Sequence, residues 1–115
     1  MDRKKQERAP FVEALEGYCQ QHLKAYHTPG HKLGQGISAY QASLFGDALR
    51  RDLGVMYALD DLFQPEGALK EAMDLAADLY GAGRTFFSIN GTTACIEAMI
   101  LAVCGDGDEI LIPRE

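Results

Sequence analysis

The sequence predicts an α/β fold in which a parallel sheet has only begun. Three observations carry this: a strand-like segment over 84–89, an apolar helical pattern running from Thr92 to Gly105, and a second strand-like segment over 109–112. A strand, a crossover helix and a second strand within about 30 residues is the unit from which parallel sheets are built, and its crossover is expected to be right-handed. Parallel strands are buried on both faces and need neighbours, so two strands do not make a finished sheet. The chain is therefore expected to be the N-terminal part of a larger domain.

Phe11, Leu15, Tyr18 and His22 recur at three- and four-residue steps, which predicts an amphipathic lead-in helix over 10–23 with Pro10 tolerated in its first turn. The stretch Tyr26-His27-Thr28-Pro29-Gly30-His31-Lys32-Leu33-Gly34-Gln35-Gly36 holds one proline and three glycines and reads as a loop. Residues 38–50 carry a short helical pattern, and 52–63 have no regular one. From Pro65-Glu66-Gly67 onward, Leu69, Met73, Ala76 and Tyr80 share a helical face, and Gly81 stands where a left-handed cap belongs, so a helix is predicted over 66–80. Arg84-Thr85-Phe86-Phe87-Ser88-Ile89 is aromatic and β-branched between Gly83 and Asn90-Gly91, as a strand should be. Ile96, Met99, Ile100 and Val103 then share a helical face, before Glu109-Ile110-Leu111-Ile112 and Pro113.

The 115 residues carry a formal net charge of -6, with 47% hydrophobic and 24% charged residues, a composition proper to a globular domain. No basic face is available to neutralise phosphates, which argues against a nucleic-acid partner, while an acidic surface tolerates a cationic substrate such as a polyamine precursor. The charged N-terminus is followed by no apolar leader core, and the run from Ala98 to Cys104 is too short for a membrane span. No membrane partner is expected, and a cytoplasmic location is. Cys19, Cys95 and Cys104 form no C-x-x-C pair and are expected to be buried free thiols.

Ser88-Ile89-Asn90-Gly91-Thr92-Thr93-Ala94 joins a strand end to a helix start, where unpaired amides and the positive end of the helix dipole meet. That is an anion site, with Gly91 permitting close backbone approach, Thr92 and Thr93 adding hydroxyls, and Ala94 leaving room. The competing reading is that Asn90 or Thr92 only caps the helix. His27 and His31 stand four apart, but Pro29-Gly30 forbids the helix that would bring them onto one metal, and no metal is expected. Lys32 is either a covalent cofactor lysine or a solvated or phosphate-facing one, the second being expected. Asp60-Asp61 reads as a loop or cap pair rather than a catalytic dyad, since adjacent side chains on an extended chain point apart.

These residues resemble a known family. Tyr26-His27-Thr28-Pro29-Gly30-His31-Lys32, Leu59-Asp60-Asp61-Leu62 with Pro65-Glu66-Gly67, Leu79-Tyr80-Gly81-Ala82, Asn90-Gly91-Thr92-Thr93 and Gly107-Asp108-Glu109-Ile110-Leu111-Ile112-Pro113-Arg114 are similar, in order and spacing, to the opening of the fold-type-I ornithine/lysine/arginine decarboxylases. Arg8-Ala9-Pro10-Phe11 resembles the start of the shorter, biosynthetic-type members. The resemblance implies pyridoxal 5'-phosphate held at Gly91, Thr92, Thr93 and Ala94, and an active-site and dimerisation arm over 1–64 that includes His31 and Lys32. It also implies the start of the cofactor-binding large domain over 65–115, a homodimer or larger assembly, and decarboxylation of arginine, lysine or ornithine.

Two departures stand out: Lys32-Leu33-Gly34 replaces the family's usual Gly-Gly, and Glu115 stands where an asparagine and a His-Lys pair usually continue. The family's cofactor lysine in a Ser-x-His-Lys segment, its ring-stacking histidine and its pyridine-pairing aspartate have no counterpart in these residues, so the chain alone is expected to be inactive. The alternatives are another fold-type-I activity, such as an aminotransferase or lyase, and a split-gene or degenerate fragment that serves only in association.

Overall fold

The computed structural model describes residues 3–21 and 23–114. They form two compact units, Met1–Thr85 and Phe86–Glu115. The first holds α1 (Arg3–Gln6), α2 (Pro10–Gln20), α3 (Ala39–Phe45), a 3-10 turn over Gly46–Arg50, and α4 (Ala68–Tyr80); the second holds α5 (Gly91–Val103).

α2 starts on Pro10, whose missing N–H is no loss in a first turn. The Glu13 carboxylate turns back to accept from the Ala9 amide at 3.0 Å and pairs with Arg8 at 2.6 Å. The expected helix to residue 23 stops at Gln20, and His22 lies outside the described residues. α2 packs against α4, so the lead-in helix contributes to the core rather than only leading to it. Among the described residues of this unit Pro10, Cys19, Ala25, Leu59, Met73 and Ala77 are buried, a small core for its length. The N-terminal segment straps α4 from outside: Gln6 Nε2 donates to the Leu75 carbonyl at 2.9 Å, and Arg8 pairs with Glu71.

α3 begins at a reciprocal cap set by local chemistry. Ser38 Oγ accepts from the Gln41 amide at 3.2 Å while Gln41 Oε1 accepts from the Ser38 amide at 3.0 Å. α4 ends as expected on Gly81, left-handed at φ 64°, with the Ala82 amide bonding back to the Ala77 carbonyl at 2.9 Å. Its start falls at Ala68 rather than residue 66, because Gly67 has a non-helical backbone at φ -118° and ψ -125°.

The second unit departs from expectation. Among the described residues there is no strand: neither 84–89 nor 109–112 forms one, and the one isolated bridge joins Met56 to Asp60. A lone strand gains little, since its stability comes from paired neighbours and a covered apolar face. The crossover helix forms as expected, yet Ile96, Met99, Leu101 and Val103 are exposed. The cysteine expectation also needs correction, since only Cys19 is buried, with Cys95 exposed and Cys104 half-buried. The apolar surroundings inferred from the helical pattern of α5 are not supplied within its own unit. A tight turn closes α5's far side, where Asp108 Oδ2 accepts from the Gly105 amide at 2.7 Å.

Candidate functional site

Two helix starts and one loop hold the residues singled out by sequence. The start of α5 is open. Asn90 occupies the N-cap position, but its side chain makes no capping bond, and its own amide donates to Ser88 Oγ at 3.2 Å. The simple capping role for Asn90 is therefore not realised. Gly91 follows at φ 78°, a conformation that costs a residue with a Cβ, and a Cβ there would meet nothing within 4 Å. Glycine is thus required by the backbone rather than by crowding, and it turns the amides of Gly91, Thr92 and Thr93 into the first turn, ahead of any carbonyl one turn earlier in the helix. Gly91, Thr92 and Thr93 are exposed and Ala94 is half-buried. Three amides, two hydroxyls and the positive end of a 13-residue helix form a donor set suited to a phosphate.

The start of α4 is closed by the chain itself. Asp60 Oδ1 accepts from the amides of Asp61 and Glu66, both at 2.9 Å, and Oδ2 accepts from Gly67, Leu69 and Lys70 at 2.8, 2.9 and 3.3 Å. Burial pushes the Asp60 carboxyl up, but the amide donors of Glu66, Asp61, Gly67 and Lys70 outweigh it and hold it at about 2. Asp61 accepts from the Phe63 amide at 2.9 Å. The acidic pair is thus a cap and a turn, as expected, although Asp60 is left-handed at φ 76° rather than extended. Sequence reasoning did not single out Asp60 over Asp61; the available signal was the Pro65-Glu66-Gly67 helix start a few residues downstream.

The loop over 26–36 is a loop as expected, and both of its imidazoles are in use. His27 Nδ1 lies 3.0 Å from the Thr28 carbonyl, so it carries the proton, and Nε2 accepts from the Tyr18 hydroxyl at 3.1 Å. His31 Nδ1 accepts from the Gly34 amide at 3.1 Å, which puts its proton on Nε2, 3.2 Å from Asp52 Oδ2. Asp52 is a partner that sequence reasoning missed, since nothing in a 21-residue separation announces it. Lys32 is exposed and left-handed at φ 52°. His31 and Lys32 belong to the first unit, and Gly91, Thr92, Thr93 and Ala94 to the second.

A glycine-led, uncapped helix start with exposed threonines is the kind of helix terminus that can accept an anion. The chain matches the Orn/Lys/Arg decarboxylase major domain over residues 9–115, and it belongs to that family. It is 45% identical over 115 residues to an arginine decarboxylase of Bacillus anthracis, covering 99% of this chain and 23% of the relative. It is 38% identical to a lysine decarboxylase of Pseudomonas aeruginosa, covering 91% of this chain and 15% of that protein. With the inducible ornithine decarboxylase of Escherichia coli it shares 35% identity over 93% of this chain and 16% of the relative. The chain thus spans about a quarter or less of the length of these relatives. No solved structure matches it. No helix among the described residues is long and apolar enough to cross a membrane.

Proposed function

We propose that the chain is the N-terminal portion of a pyridoxal-phosphate-dependent decarboxylase of arginine, lysine or ornithine, and that Gly91, Thr92, Thr93 and Ala94 hold the cofactor's phosphate. The observation that carries the phosphate assignment is the uncapped start of α5: the Asn90 side chain makes no capping bond, and Gly91, Thr92 and Thr93 are exposed there. When bound, the cofactor supplies an electron sink that lets an amino acid lose carbon dioxide. The part of this chain is to hold it. The helix-start amides and the Thr92 and Thr93 hydroxyls bind the dianion, and Gly91 keeps the backbone in the left-handed turn that aims them.

In this reading residues 65–115 begin a fold-type-I large domain, and the segments 84–89 and 109–112 become strands when further parallel neighbours pair with them. Residues 1–64 form an arm at the active site and dimer interface of a cytoplasmic enzyme. Lys32 is not the lysine that carries the cofactor covalently, so the 115-residue polypeptide alone is inactive. The experiment is to express the gene at full length with pyridoxal phosphate and measure carbon dioxide and amine from each of the three amino acids. Release from at least one is the expected result. Cofactor binding without decarboxylation would point to another fold-type-I activity, and no cofactor binding would leave only an association role. Borohydride reduction of the 115-residue chain with pyridoxal phosphate should label no single lysine, and stoichiometric labelling of Lys32 would overturn its exclusion.

A further inference from the structure

One imidazole helps to hold the left-handed turn that carries Lys32. Lys32, Leu33 and Gly34 follow one another at φ 52°, 57° and 81°. Two of the three carry a Cβ and resist that conformation, so the run persists only because its surroundings hold it. Three hydrogen bonds do the holding. The Gln35 amide bonds to the Lys32 carbonyl at 3.1 Å and the Gly36 amide to the His31 carbonyl at 2.9 Å. Between them the Gly34 amide donates to His31 Nδ1 at 3.1 Å, while the other side of the ring is tied to Asp52 at 3.2 Å. The His31 side chain is only 13% exposed, so its ring has little freedom to turn away.

We propose that His31 is a proton-operated latch on this turn, closed when the ring is neutral and opened when it takes a second proton. In the neutral ring Nδ1 is the acceptor that the Gly34 amide needs. A proton on Nδ1 makes it a donor, so two N–H groups then face each other across 3.1 Å. The bond on the other side behaves oppositely, because an imidazolium donates to the Asp52 carboxylate more strongly than a neutral ring does. The ring therefore stays with Asp52, and the Gly34 amide loses its acceptor while the two backbone bonds of the turn remain.

The charged groups around it are few. Asp52 bonds the ring's Nε2 at 3.2 Å, and Lys32 follows His31 in sequence. Asp47 and Arg50 line the same concavity as Gly34 and bring opposite signs. His27 provides an internal contrast. Its acceptor nitrogen faces the Tyr18 hydroxyl at 3.1 Å, and a hydroxyl can reverse and accept from a protonated ring, whereas an amide cannot. Protonation of His27 should leave its contacts intact, and protonation of His31 should not. The latch follows from local geometry and is independent of the decarboxylase reading; its consequence is that the placement of Lys32 depends on pH.

The test is NMR of the uniformly labelled 115-residue chain as pH is lowered from about 8 to about 5. At the upper end the His31 ring should show the Nε2–H tautomer and the Gly34 amide should be protected. As His31 titrates, exchange at Gly34, corrected for intrinsic pH dependence and referenced to the Ala42 amide of α3, should rise about tenfold or more. The His31→Gln variant, which keeps an acceptor but cannot take up a proton in this range, should show no such transition. An Nδ1–H tautomer at high pH, a Gly34 amide indifferent to His31 titration, or a change that follows His27 instead would each overturn the latch. The wild-type titration decides the matter even if the variant fails to fold.

Discussion

α4 and α5 are helices of equal length, each with a glycine at its start, and their N-termini have opposite fates. At α4 the chain brings its own anion: the Asp60 carboxylate takes five backbone amides, and the helix start is complete without any ligand. At α5 the residue in the cap position contributes no side-chain bond and the first amides stay open. The physics of the two ends is the same, since both present unpaired N–H groups and the positive end of the dipole. What differs is whether a carboxylate is within reach. A filled end serves stability, and an open end, left unsatisfied at some cost to stability, can serve binding. The same contrast runs through the helix bodies, with Met73 and Ala77 of α4 buried and Ile96, Met99, Leu101 and Val103 of α5 exposed.

The strongest way to break this comparison is to remove the hydroxyls at the open end. Replacing Thr92 and Thr93 together by alanine in the full-length protein should weaken pyridoxal phosphate binding at least about tenfold, since charge-assisted bonds contribute about 1.5–3 kcal/mol each. The check is an absorbance titration, with circular dichroism showing the helix content unchanged. Unaltered affinity would deny α5 its proposed role.

At the filled end, Asp60→Ala should destabilise the first unit by about 1–2 kcal/mol, the range for losing a helix cap, as read by urea unfolding. The loss should appear as faster amide exchange at Glu66, Gly67 and Leu69, with the start of α5 untouched. Asp60→Asn should retain part of the effect, because an amide oxygen still accepts.

Gly91→Ala should cost about 1 kcal/mol, because the left-handed turn penalises a Cβ even where space is open. Phosphate affinity should fall with it; an affinity rise would mean the turn is not the one used in binding.

Acid should produce the smallest effect. The folded Asp60 carboxyl sits at about 2 against an ordinary value of 3.8. A depressed value means that its contribution is present above about pH 4 and is lost as pH falls from there toward 2. Solvent screening of this partly exposed group keeps the loss under about 1 kcal/mol. A stability-versus-pH profile of the wild type should therefore be steeper between pH 4 and 2 than that of Asp60→Ala, and equal slopes would show that the carboxylate is not what holds the helix start.

Features decided by neighbours along the chain are legible in the sequence itself. Ser38 with Gln41, Gly81 after Tyr80, the proline and glycines of the 26–36 loop, and Gly91 ahead of Thr92 each act within one turn of chain, where residue type alone restricts φ, ψ and capping. The five family blocks are likewise local strings, and the match over residues 9–115 agrees with them. Tertiary structure alone decided the rest. It selected Asp60 rather than Asp61 as the cap, paired His31 with Asp52, laid α2 on α4, and formed no strand over 84–89 or 109–112. The physical reason is range: a cap or turn needs only the adjacent backbone, whereas a cross-chain hydrogen bond, a buried face or a strand needs partners whose positions no local pattern specifies.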